Sequence, residues 1–454
     1  MLIWWIIAHL VGNNVILPSP KATILALISL VQTGQFYMNV LWTVIRTVLG
    51  IVISFGLGTI CAALANRSIA LREFLRLPVS FFKSIPVMAI IIYVILVVKS
   101  DWVAVVVCFL MCFPIAYTNI LNGLTALDRS YIELGNTLGL SRRQMIRYII
   151  RPSLDTQIKT ALGLITAMSW KVVVASEVLA IPKYSIGYQM LNSKYYLETP
   201  DLFAYMIVLI ALSLLMEKLV GKLSALDPGR LGRALEREAS ASGIADHIKD
   251  PAVIKFDNVV KSFVNEDGGS SMALDGFTFE FTPGITAVLA PSGAGKTTMA
   301  RLITGLETAD SGEVSMTEAS RTGYLFQEDR LLPWLSVRDN MLLSFLSGNT
   351  AGKDPISASE DMAVKLEIRD DLNMMPSELS GGMAHRAALG RTLLYGGNIL
   401  ILDEPFRGLD EELRKRIIED IHEDLRLADR PKTVILITHD ERLAKGMADR
   451  VIRL

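Results

Sequence analysis

Ala290-Pro-Ser-Gly-Ala-Gly-Lys-Thr-Thr298 is the stretch that decides the fold of the second half of this chain. It follows an apolar run, Ile285 to Leu289, whose β-branched and small residues predict a buried strand. The pattern from Met299 to Leu306 then predicts a helix. A strand, a glycine-rich turn and a helix together form the context in which backbone N–H groups surround a phosphate. Ala290 departs from the pattern, which usually has a glycine there.

This loop predicts a nucleotide site with ATP and Mg²⁺ as cofactors. Gly293 and Gly295 allow the backbone to bend so that successive N–H groups point at phosphate oxygens. The predicted nucleotide-binding residues of the loop are Ser292, Gly293, Ala294, Gly295, Lys296, Thr297 and Thr298. Lys296 would reach the β- and γ-phosphates, and the Thr297 hydroxyl would hold Mg²⁺.

A second motif, Asn398-Ile-Leu-Ile-Leu-Asp-Glu-Pro405, reads as a buried strand that ends in two carboxylates. Asp403 is placed to hold Mg²⁺ through water, and Glu404 to orient and deprotonate an attacking water molecule. Two solvated acids at a strand end would be the alternative, but the phosphate loop upstream favours hydrolysis.

Hydrophobic residues are unevenly distributed along the chain. Of its 454 residues 51% are hydrophobic, and the mean hydropathy is +0.40. The apolar residues concentrate before about residue 220, and the remainder has the composition of a soluble α/β domain. A net charge of −1 gives no reason to expect nucleic-acid binding. Cys108 and Cys112 would share a helix face, and we interpret them as small apolar residues rather than metal ligands.

Apolar blocks predict about six membrane-spanning helices, since a helix needs roughly 20 residues to cross a hydrocarbon core of about 30 Å. The blocks are Leu2–Leu17, Val40–Ala65, Phe81–Val98, Trp102–Leu121, Ala161–Ile181 and Phe203–Val220. The first is short, and without a basic segment before it a membrane helix is favoured over a cleaved signal peptide. We therefore predict a membrane domain over 1–220, a linker over 221–250 and an ATPase domain over 251–454.

Basic residues give the orientation of these helices. They cluster after the second, fourth and sixth blocks, whereas the alternate loops hold only Lys21, Lys99, Lys183 and Lys194. The positive clusters mark the cytoplasmic side, so both termini and the ATPase half are predicted to be cytoplasmic.

Charged residues within apolar blocks are costly and suggest function. Arg46, Lys171 and Glu177 are such residues, and Lys171 and Glu177 would not share a helix face. Lys171 either attracts an anionic substrate or is a structural charge that snorkels or pairs between helices. The sequence leaves both interpretations open.

The motifs of the second half resemble those of ABC ATPases. Leu379-Ser-Gly-Gly-Met383 resembles the ABC signature, with Met383 where glutamine is usual. Gln327, Gly408-Leu-Asp410 and the strand Val434-Ile-Leu-Ile-Thr-His-Asp440 occupy the remaining motif positions. His385, where glutamine is common, is interpreted as a helix-surface residue.

This resemblance implies further roles. Phe263 would stack on adenine, Gln327 would contact Mg²⁺ and the attacking water, and His439 would bond to the γ-phosphate. Ser380, Gly381 and Gly382 would face the γ-phosphate held by a second copy of the domain, and Asp410 would lie in the loop that communicates across the dimer.

The segment from Tyr131 to Pro152 resembles the cytoplasmic coupling loop of bacterial ABC import permeases. Glu133, Gly139, Ile149 and Pro152 match its spacing, whereas Leu134-Gly135 and Arg151 depart from it. We predict a helix, a turn at Gly139 and a second helix within a cytoplasmic loop over 128–152. The short amphipathic helix that Gly139 ends would dock in a groove of a partner domain. The alternative is a basic helix that lies on anionic lipid.

Both halves are similar to the nitrate, sulfonate and taurine import family. The matching segments are Leu17-Pro-Ser-Pro20, Arg46, Ser84-Ile-Pro86, Trp170–Glu177 and Phe326-Gln-Glu-Asp-Arg-Leu-Leu-Pro-Trp334. The resemblance implies an all-α, type I importer-like membrane domain fused to an α/β P-loop ATPase domain.

Such a chain would be an ATP hydrolase that drives import of a nitrate-, sulfonate- or taurine-like anion or a small heterocycle. Its expected partners are a second copy of the chain, a separate extracytoplasmic binding protein and the lipid bilayer, with no nucleic acid. It would reside in the bacterial inner membrane, with the ATPase domain in the cytoplasm. An ABC exporter or a membrane-bound regulatory ATPase without transport activity remains the alternative.

Overall fold

The computed structural model describes residues 2–242, 252–264, 270–291, 293–318, 320–347, 354–426 and 432–454. They form two compact units. The first, called here the membrane unit, comprises Met1–Leu127 and Ser153–Leu226; the second, called the ATPase unit, comprises Asp128–Pro152 and Asp227–Leu454. The predicted coupling loop therefore belongs to the ATPase unit, although it lies between two apolar helices in sequence.

The helices of the first part of the chain are α1 (Leu2–Val11), α2 (Pro20–Val31), α3 (Gly34–Arg67), α4 (Ile69–Ser84), α5 (Val87–Val97), α6 (Ser100–Thr125), α7 (Arg129–Thr137), α8 (Arg142–Gln144), α9 (Arg151–Ser153) and α10 (Asp155–Ala180). A π-helical turn, Met145–Ile150, joins α8 to α9. The later helices are α11 (Ile186–Tyr195), α12 (Thr199–Ser224), α13 (Pro228–Ala241), α14 (Lys296–Ile303), α15 (Val337–Leu342), α16 (Pro355–Lys365), α17 (Gly381–Leu394), α18 (Glu411–Arg426) and α19 (Glu441–Met447).

The apolar helices differ in number from the six that the sequence predicts. Within the described residues four helical segments are long and apolar enough to span a membrane, or five if the bent pair α4–α5 counts as one span. The predicted first span, Leu2–Leu17, forms only the ten-residue helix α1. Ten residues rise about 15 Å, roughly half of a hydrocarbon core.

The predicted span Phe81–Val98 is also not a straight helix. α4 ends before Ile85 and α5 begins after Pro86, with a bend of 107° between them. Proline lacks an N–H group and disfavours helical backbone in the residue before it, which explains the break. Ile85 accordingly has an extended ψ of 136°.

Small residues bring α3 and α6 close together. A Cβ atom placed on Gly50 would lie 2.5 Å from Cys108 Sγ, and one on Gly58 would lie 2.5 Å from Ala116 Cβ. Such contacts allow apolar helices to approach closely. Cys108 is fully buried in this contact as a small core residue.

Two of the three charged residues that the sequence analysis singled out, Arg46 and Glu177, neutralise each other. Arg46 Nη1 lies 2.9 Å from Glu177 Oε1, and both side chains are buried. The same carboxylate accepts hydrogen bonds from Thr43 Oγ1 at 2.9 Å and from the Gly187 N–H at 3.2 Å. Pairing and full hydrogen bonding make a buried carboxylate tolerable.

The ATPase unit contains β1 (Ile254–Val264), β2 (Ser270–Phe281), β3 (Gly284–Leu289), β4 (Ser311–Met316), β5 (Thr322–Leu325), β6 (Ile399–Asp403), β7 (Thr433–Thr438) and β8 (Arg450–Arg453). Among the described residues the antiparallel sheet has the order β2-β1-β4, and the parallel sheet has the order β5-β6-β7-β3-β8. β6 and β7 are buried along their whole length, which accounts for their continuous apolar sequences.

The parallel sheet places the predicted motifs side by side. Leu289 of β3 pairs with Thr438 of β7, and Asp403 of β6 pairs with Ile437 of β7. The phosphate loop, the two carboxylates and His439 each follow one of these strands. Ligand sites in such sheets form beyond the carboxyl ends of the strands.

The sequence predicts a linker that is first helical and then flexible, and its helical part, α13, is packed into the ATPase unit. α13 begins with Asp227 as its N-cap and Pro228 in its first turn. It buries Leu231, Leu235 and Ala239 in the core of the ATPase unit. Residues 243–250 of the predicted linker lie outside the described residues.

Candidate functional site

The phosphate loop joins β3 to α14 as its sequence predicts. Gly293 and Gly295 have φ values of +85° and +84°, which favour glycine. A Cβ atom on Gly295 would lie 2.1 Å from the carbonyl oxygen of Ala273. Ala290 is not in the left-handed region, so this position does not require the usual glycine. Ser292 lies outside the described residues.

Lys296 places its ammonium group at the loop. Its Nζ donates to the carbonyl oxygen of Ala290 and, at 3.2 Å, to that of Pro291. Thr297 is exposed beside it, whereas Thr298 is buried beneath the loop. An ammonium group, an exposed hydroxyl and the start of a helix together suit a bound phosphate chain.

Asp403 has the properties of an indirect Mg²⁺ ligand. Its side chain is buried, and its Oδ2 has no hydrogen-bond partner among the described residues. Burial, with a further contribution from Glu404, raises the pKa of Asp403 to about 6, and Lys296 opposes this shift. A desolvated carboxylate oxygen without a partner fits a hydrated cation, which would favour its ionised form.

Glu404 and His439 meet, a contact that the sequence does not reveal. Glu404 Oε1 lies 2.7 Å from His439 Nδ1 and accepts a hydrogen bond from the His439 N–H at 3.1 Å. Glu404 has a φ of +53°, an uncommon value for a residue with a Cβ atom. Its backbone N–H donates to the carbonyl oxygen of Ile437 at 2.9 Å. The imidazole is mostly exposed, so the carboxylate lies at the solvent-facing end of the sheet.

Phe263 and Gln327, the next two predicted residues, are both exposed. Phe263 has 39% of its surface exposed, and Lys261 Nζ lies 5.3 Å from its ring centroid. Gln327 follows β5 with its side chain in solvent. Both side chains are therefore accessible to a ligand.

The signature segment stands apart from the phosphate loop. Ser380 is the N-cap of α17, and its Oγ accepts from the Met383 N–H at 3.3 Å. Gly381 is exposed, and a Cβ atom on Gly382 would lie 3.4 Å from the Gly408 carbonyl oxygen. Asp410 caps α18, where hydrogen bonds from backbone N–H groups, first that of Leu413, lower its pKa. Among the described residues no hydrogen bond joins Ser380 or its neighbours to the phosphate loop.

The surface position predicted for His385 is wrong. Only 1% of the residue is exposed. Its Nδ1 lies 2.8 Å from Asp329 Oδ1, and its Nε2 lies 3.0 Å from the Pro405 carbonyl oxygen. α17 is buried on most sides, and two hydrogen-bond partners make a buried imidazole acceptable. His385 thus links the segment of Gln327 to the segment of Glu404.

The predicted coupling loop has the predicted shape. α7 ends at Thr137, Gly139 has a φ of +65°, and a new helix begins at Arg142 behind a Ser141–Gln144 capping box. A Cβ atom on Gly139 would lie 3.5 Å from Ser347 Cβ and 3.7 Å from Tyr395 Oη. The turn therefore contacts the rest of the ATPase unit at Gly139 itself.

Glu133 joins this loop to both nucleotide segments. Its Oε1 lies 2.7 Å from Arg301 Nη2, and its Oε2 lies 2.9 Å from Arg330 Nη1. Arg301 is on α14, directly after the phosphate loop, and Arg330 lies three residues after Gln327. Hydrogen bonds from Arg301 and then Arg330 lower the pKa of Glu133, so the carboxylate remains charged.

The apolar side of the loop is buried in the ATPase unit. Tyr148 and Ile149 are fully buried, and Trp334 Nε1 donates to the Tyr148 carbonyl oxygen at 2.8 Å. The Tyr131 ring meets the Trp334 ring edge to face at 5.5 Å. A helix lying on lipid would instead direct its apolar side away from the protein. These contacts favour a docked loop.

The helix α13 adds a contact that the sequence analysis missed. Glu238 Oε2 accepts from Tyr148 Oη at 2.7 Å, and Glu238 Oε1 accepts from Gln144 Nε2 at 2.9 Å. The spacing of Leu231, Leu235 and Ala239, with period i, i+4, i+8, is the signal that predicts a buried face here.

Comparison with known families covers both units. The family described as ABC transporter matches residues 274–407, and the family described as binding-protein-dependent transport system inner membrane component matches residues 54–223.

Individual relatives match the ATPase part. The aliphatic sulfonates import ATP-binding protein SsuB 1 of Mesorhizobium japonicum is 38% identical over 202 residues, which are 43% of this chain and 73% of the relative. The sulfate/thiosulfate import ATP-binding protein CysA of Mannheimia succiniciproducens is 35% identical over 216 residues, 44% of this chain and 58% of the relative. The solved dimer of the ABC transporter cassette MJ0796 is 27% identical, with a TM-score of 0.40, covering 44% of this chain and 94% of its own.

Proposed function

This chain belongs to the ABC transporter family, and on that basis we propose that it imports a small anion across a bacterial inner membrane by hydrolysing ATP. A helical permease domain and a P-loop ATPase domain lie in one chain, so ATP hydrolysis is coupled to transport. The observation that carries the proposal is the ion-pair cluster of Glu133, Arg301 and Arg330. It connects the loop between two membrane helices to both nucleotide segments.

Nucleotide binding would rest on the phosphate loop. Lys296 would exchange its loop carbonyls for phosphate oxygens, and Phe263 would stack on the adenine. Thr297, Gln327 and, through water, Asp403 would hold Mg²⁺, whose charge would stabilise the phosphate oxygens during transfer. The Oδ2 atom of Asp403, which is buried and has no hydrogen-bond partner among the described residues, supports the role of Asp403 in holding Mg²⁺.

Hydrolysis would depend on Glu404. Its carboxylate would orient an attacking water molecule and accept its proton. His439 lies against Glu404 and would bond to the γ-phosphate, so loss of that phosphate would be sensed at the same carboxylate. Through Gln327 and Glu133 the change would reach the coupling loop.

The working unit would be a dimer of this chain. Ser380, Gly381 and Gly382 begin a helix at the surface and have no hydrogen bond to the phosphate loop among the described residues. The N-terminus of a helix attracts phosphate, so this segment suits the γ-phosphate bound by a second copy. Asp410 would lie in the loop between the two sites.

The substrate class follows from two relatives. One is named for aliphatic sulfonate import and the other for sulfate and thiosulfate import. We therefore propose a sulfonate- or sulfate-like anion, with a small heterocycle as the second candidate, delivered by a separate extracytoplasmic binding protein. The match to a binding-protein-dependent permease over residues 54–223 supports an importer over an exporter or a regulatory ATPase.

Proteoliposomes in which the ATPase units face outward test the proposal. A sulfonate-binding protein from the same genome and radiolabelled ethanesulfonate are enclosed in the lumen, which corresponds to the extracytoplasmic side. The anion should leave the lumen only when MgATP is added outside, and hydrolysis should rise when the loaded binding protein is present. ATP-dependent movement in the opposite direction would establish an exporter. Hydrolysis indifferent to every anion and binding protein offered would favour a regulatory ATPase.

A further inference from the structure

Of the three charged residues singled out within the apolar blocks, Lys171 is the one without an ion pair among the described residues. Arg46 and Glu177, the other two, neutralise each other. It lies on α10, about 24 Å along the helix from Asp155, and its side chain is exposed. A single ammonium group far from either end of an apolar helix is costly in lipid and is usually found facing water or a partner.

A cavity of about 540 Å³ lies beside it. Within the described residues its lining is apolar except for Lys171, and the lining residues are Val87, Met88, Ile115, Leu164, Ala167, Met168, Lys171, Val172 and Ala175. Sites for small molecules have this size and this arrangement, in which apolar walls surround a few polar groups.

The N-terminus of α5, which follows the break after α4, lines the same cavity. Val87 and Met88, the first two residues of α5, line it. α5 has no side chain that caps its N-terminus. The start of a helix carries partial positive charge, so the broken helix adds to the field of Lys171. Both features favour an anion over a cation or a neutral solute.

We propose that Lys171 binds the anionic head of a small organic anion in this cavity, within the spanning part of the chain. The ammonium group would donate hydrogen bonds to sulfonate or sulfate oxygens. Met88, Leu164 and Met168 would contact an aliphatic tail, which a bare inorganic anion lacks. The inference rests on the proposed function and refines it, since it places one substrate-binding group in the chain itself.

A charge-sensitive labelling experiment tests the site without any binding protein. Ala167 is exposed on the cavity wall one helical turn before Lys171. Ala167→Cys, combined with Cys61→Ala because Cys61 is partly accessible, would be reacted in lipid nanodiscs with two thiosulfonate reagents. One carries a sulfonate group and the other a trimethylammonium group. The rate ratio of the anionic to the cationic reagent should fall about fivefold on Lys171→Gln and stay near its original value on Lys171→Arg.

A cysteine far from the cavity serves as the control for the labelling rates. Ile69→Cys, exposed at the start of α4, should react with a rate ratio that Lys171→Gln leaves unchanged. An unchanged ratio at position 167, or no reaction there with either reagent, would overturn the site. In the Ala167→Cys protein that retains Lys171, ethanesulfonate should slow labelling of the introduced thiol by the anionic reagent, and failure to do so also counts against the site.

Import, measured as ATP-dependent release of the anion from the lumen and called uptake below, then separates this inference from the proposed function. With its binding protein, the Lys171→Gln chain should show a KM for ethanesulfonate at least about tenfold higher, with ATP hydrolysis in the absence of substrate retained. Lys171→Arg should remain close to the unmodified chain. Equal uptake by all three would refute the role of Lys171 and leave the importer proposal intact. Absence of anion uptake in the unmodified chain would contradict the importer proposal itself, whatever the labelling shows.

Discussion

At the scale of single residues, the chemistry converges on Glu404. Its carboxylate lies against His439 at the carboxyl edge of the parallel sheet, which is where an attacking water molecule would be held. Glu404→Gln preserves the side-chain shape and removes the carboxylate that we propose as the proton acceptor. ATP hydrolysis should therefore fall at least about 10²-fold while ATP binding is retained.

Phosphate release and nucleotide binding, measured on the same preparation, check this expectation. Glu419→Gln on the exposed side of α18 is the matched control and should hydrolyse ATP normally. If Glu404→Gln turned over nearly as fast as the control, another group would have to be the base.

Local conformation was predictable where a short pattern determines it. The glycines of the phosphate loop and the acids that end β6 follow from local sequence, because the backbone conformation and the strand end are themselves local. The contact of His385 with Asp329 and Pro405 joins three distant segments. No periodicity in α17 could reveal it, since that helix is buried on most of its sides.

At the scale of elements, the coupling loop depends on one backbone conformation. Gly139 has a φ of +65°, where a β-branched residue is strained by roughly 1–2 kcal/mol, and its Cα faces Ser347 and Tyr395. We expect Gly139→Val to abolish uptake while ATP binding and part of the hydrolysis remain. Gly139→Asn should lose less uptake, because asparagine tolerates this region.

Uptake and phosphate release must be measured together on the same proteoliposomes. Full uptake in the valine variant would show that the turn does not transmit motion. Loss of ATP binding in the valine variant would indicate misfolding, and the asparagine variant then provides the test. Normal uptake by a folded Gly139→Asn protein would support the requirement for a left-handed backbone at this turn, and lost uptake would oppose it.

The second element is α13, whose Glu238 holds the coupling loop through Tyr148 and Gln144. Glu238→Ala removes the acceptor for both and leaves the hydroxyl of the buried Tyr148 without this partner, at a cost of about 1–3 kcal/mol. The loop should be less firmly held, so the number of ATP molecules hydrolysed per anion imported should rise.

Glu236→Ala on the same helix is the control for that ratio, since no hydrogen bond joins Glu236 to the loop among the described residues. If Glu238→Ala left the number of ATP molecules hydrolysed per anion unchanged, and both variants were equally stable to heat, Glu238 would have no role in coupling.

Several helices show where sequence patterns failed to predict presence, length, continuity or packing. Four of the six predicted apolar blocks correspond to long apolar helices, whereas the apolar helix α2 was not predicted. Composition could not distinguish a span from a helix broken at Pro86 or from the short α1. The break depends on one proline, and the length of α1 depends on where the chain turns. The packing of α13 was overlooked because its charged residues outweighed the i, i+4, i+8 spacing of its apolar ones.

At the scale of the whole molecule, the proposed dimer makes a quantitative prediction. Lys296→Ala removes a phosphate-loop function, and Ser380→Arg blocks a signature segment; dimers of either chain alone have no intact site. A random mixture forms half mixed dimers, each with one intact composite site, so hydrolysis should recover to about a quarter of normal if the sites act independently.

Hydrolysis after co-reconstitution of the two chains measures this recovery. Mixing either variant with Glu404→Gln in place of its counterpart provides controls of defined site composition. A mixture no more active than its parents, in which cross-linking confirms that mixed dimers formed, would contradict a site shared between two chains.

The left-handed backbone of Glu404 has a consequence for the evolution of this protein. Glycine at this position would relieve the backbone strain, but it would also remove the carboxylate that we propose for hydrolysis. We therefore expect that one substitution, Glu404→Gly, would relieve backbone strain and abolish ATP hydrolysis together. Any selection for abundance or heat resistance that does not also demand transport will tend to enrich for this variant, and a screen for stabilised forms of this chain must be tied to activity from its first round.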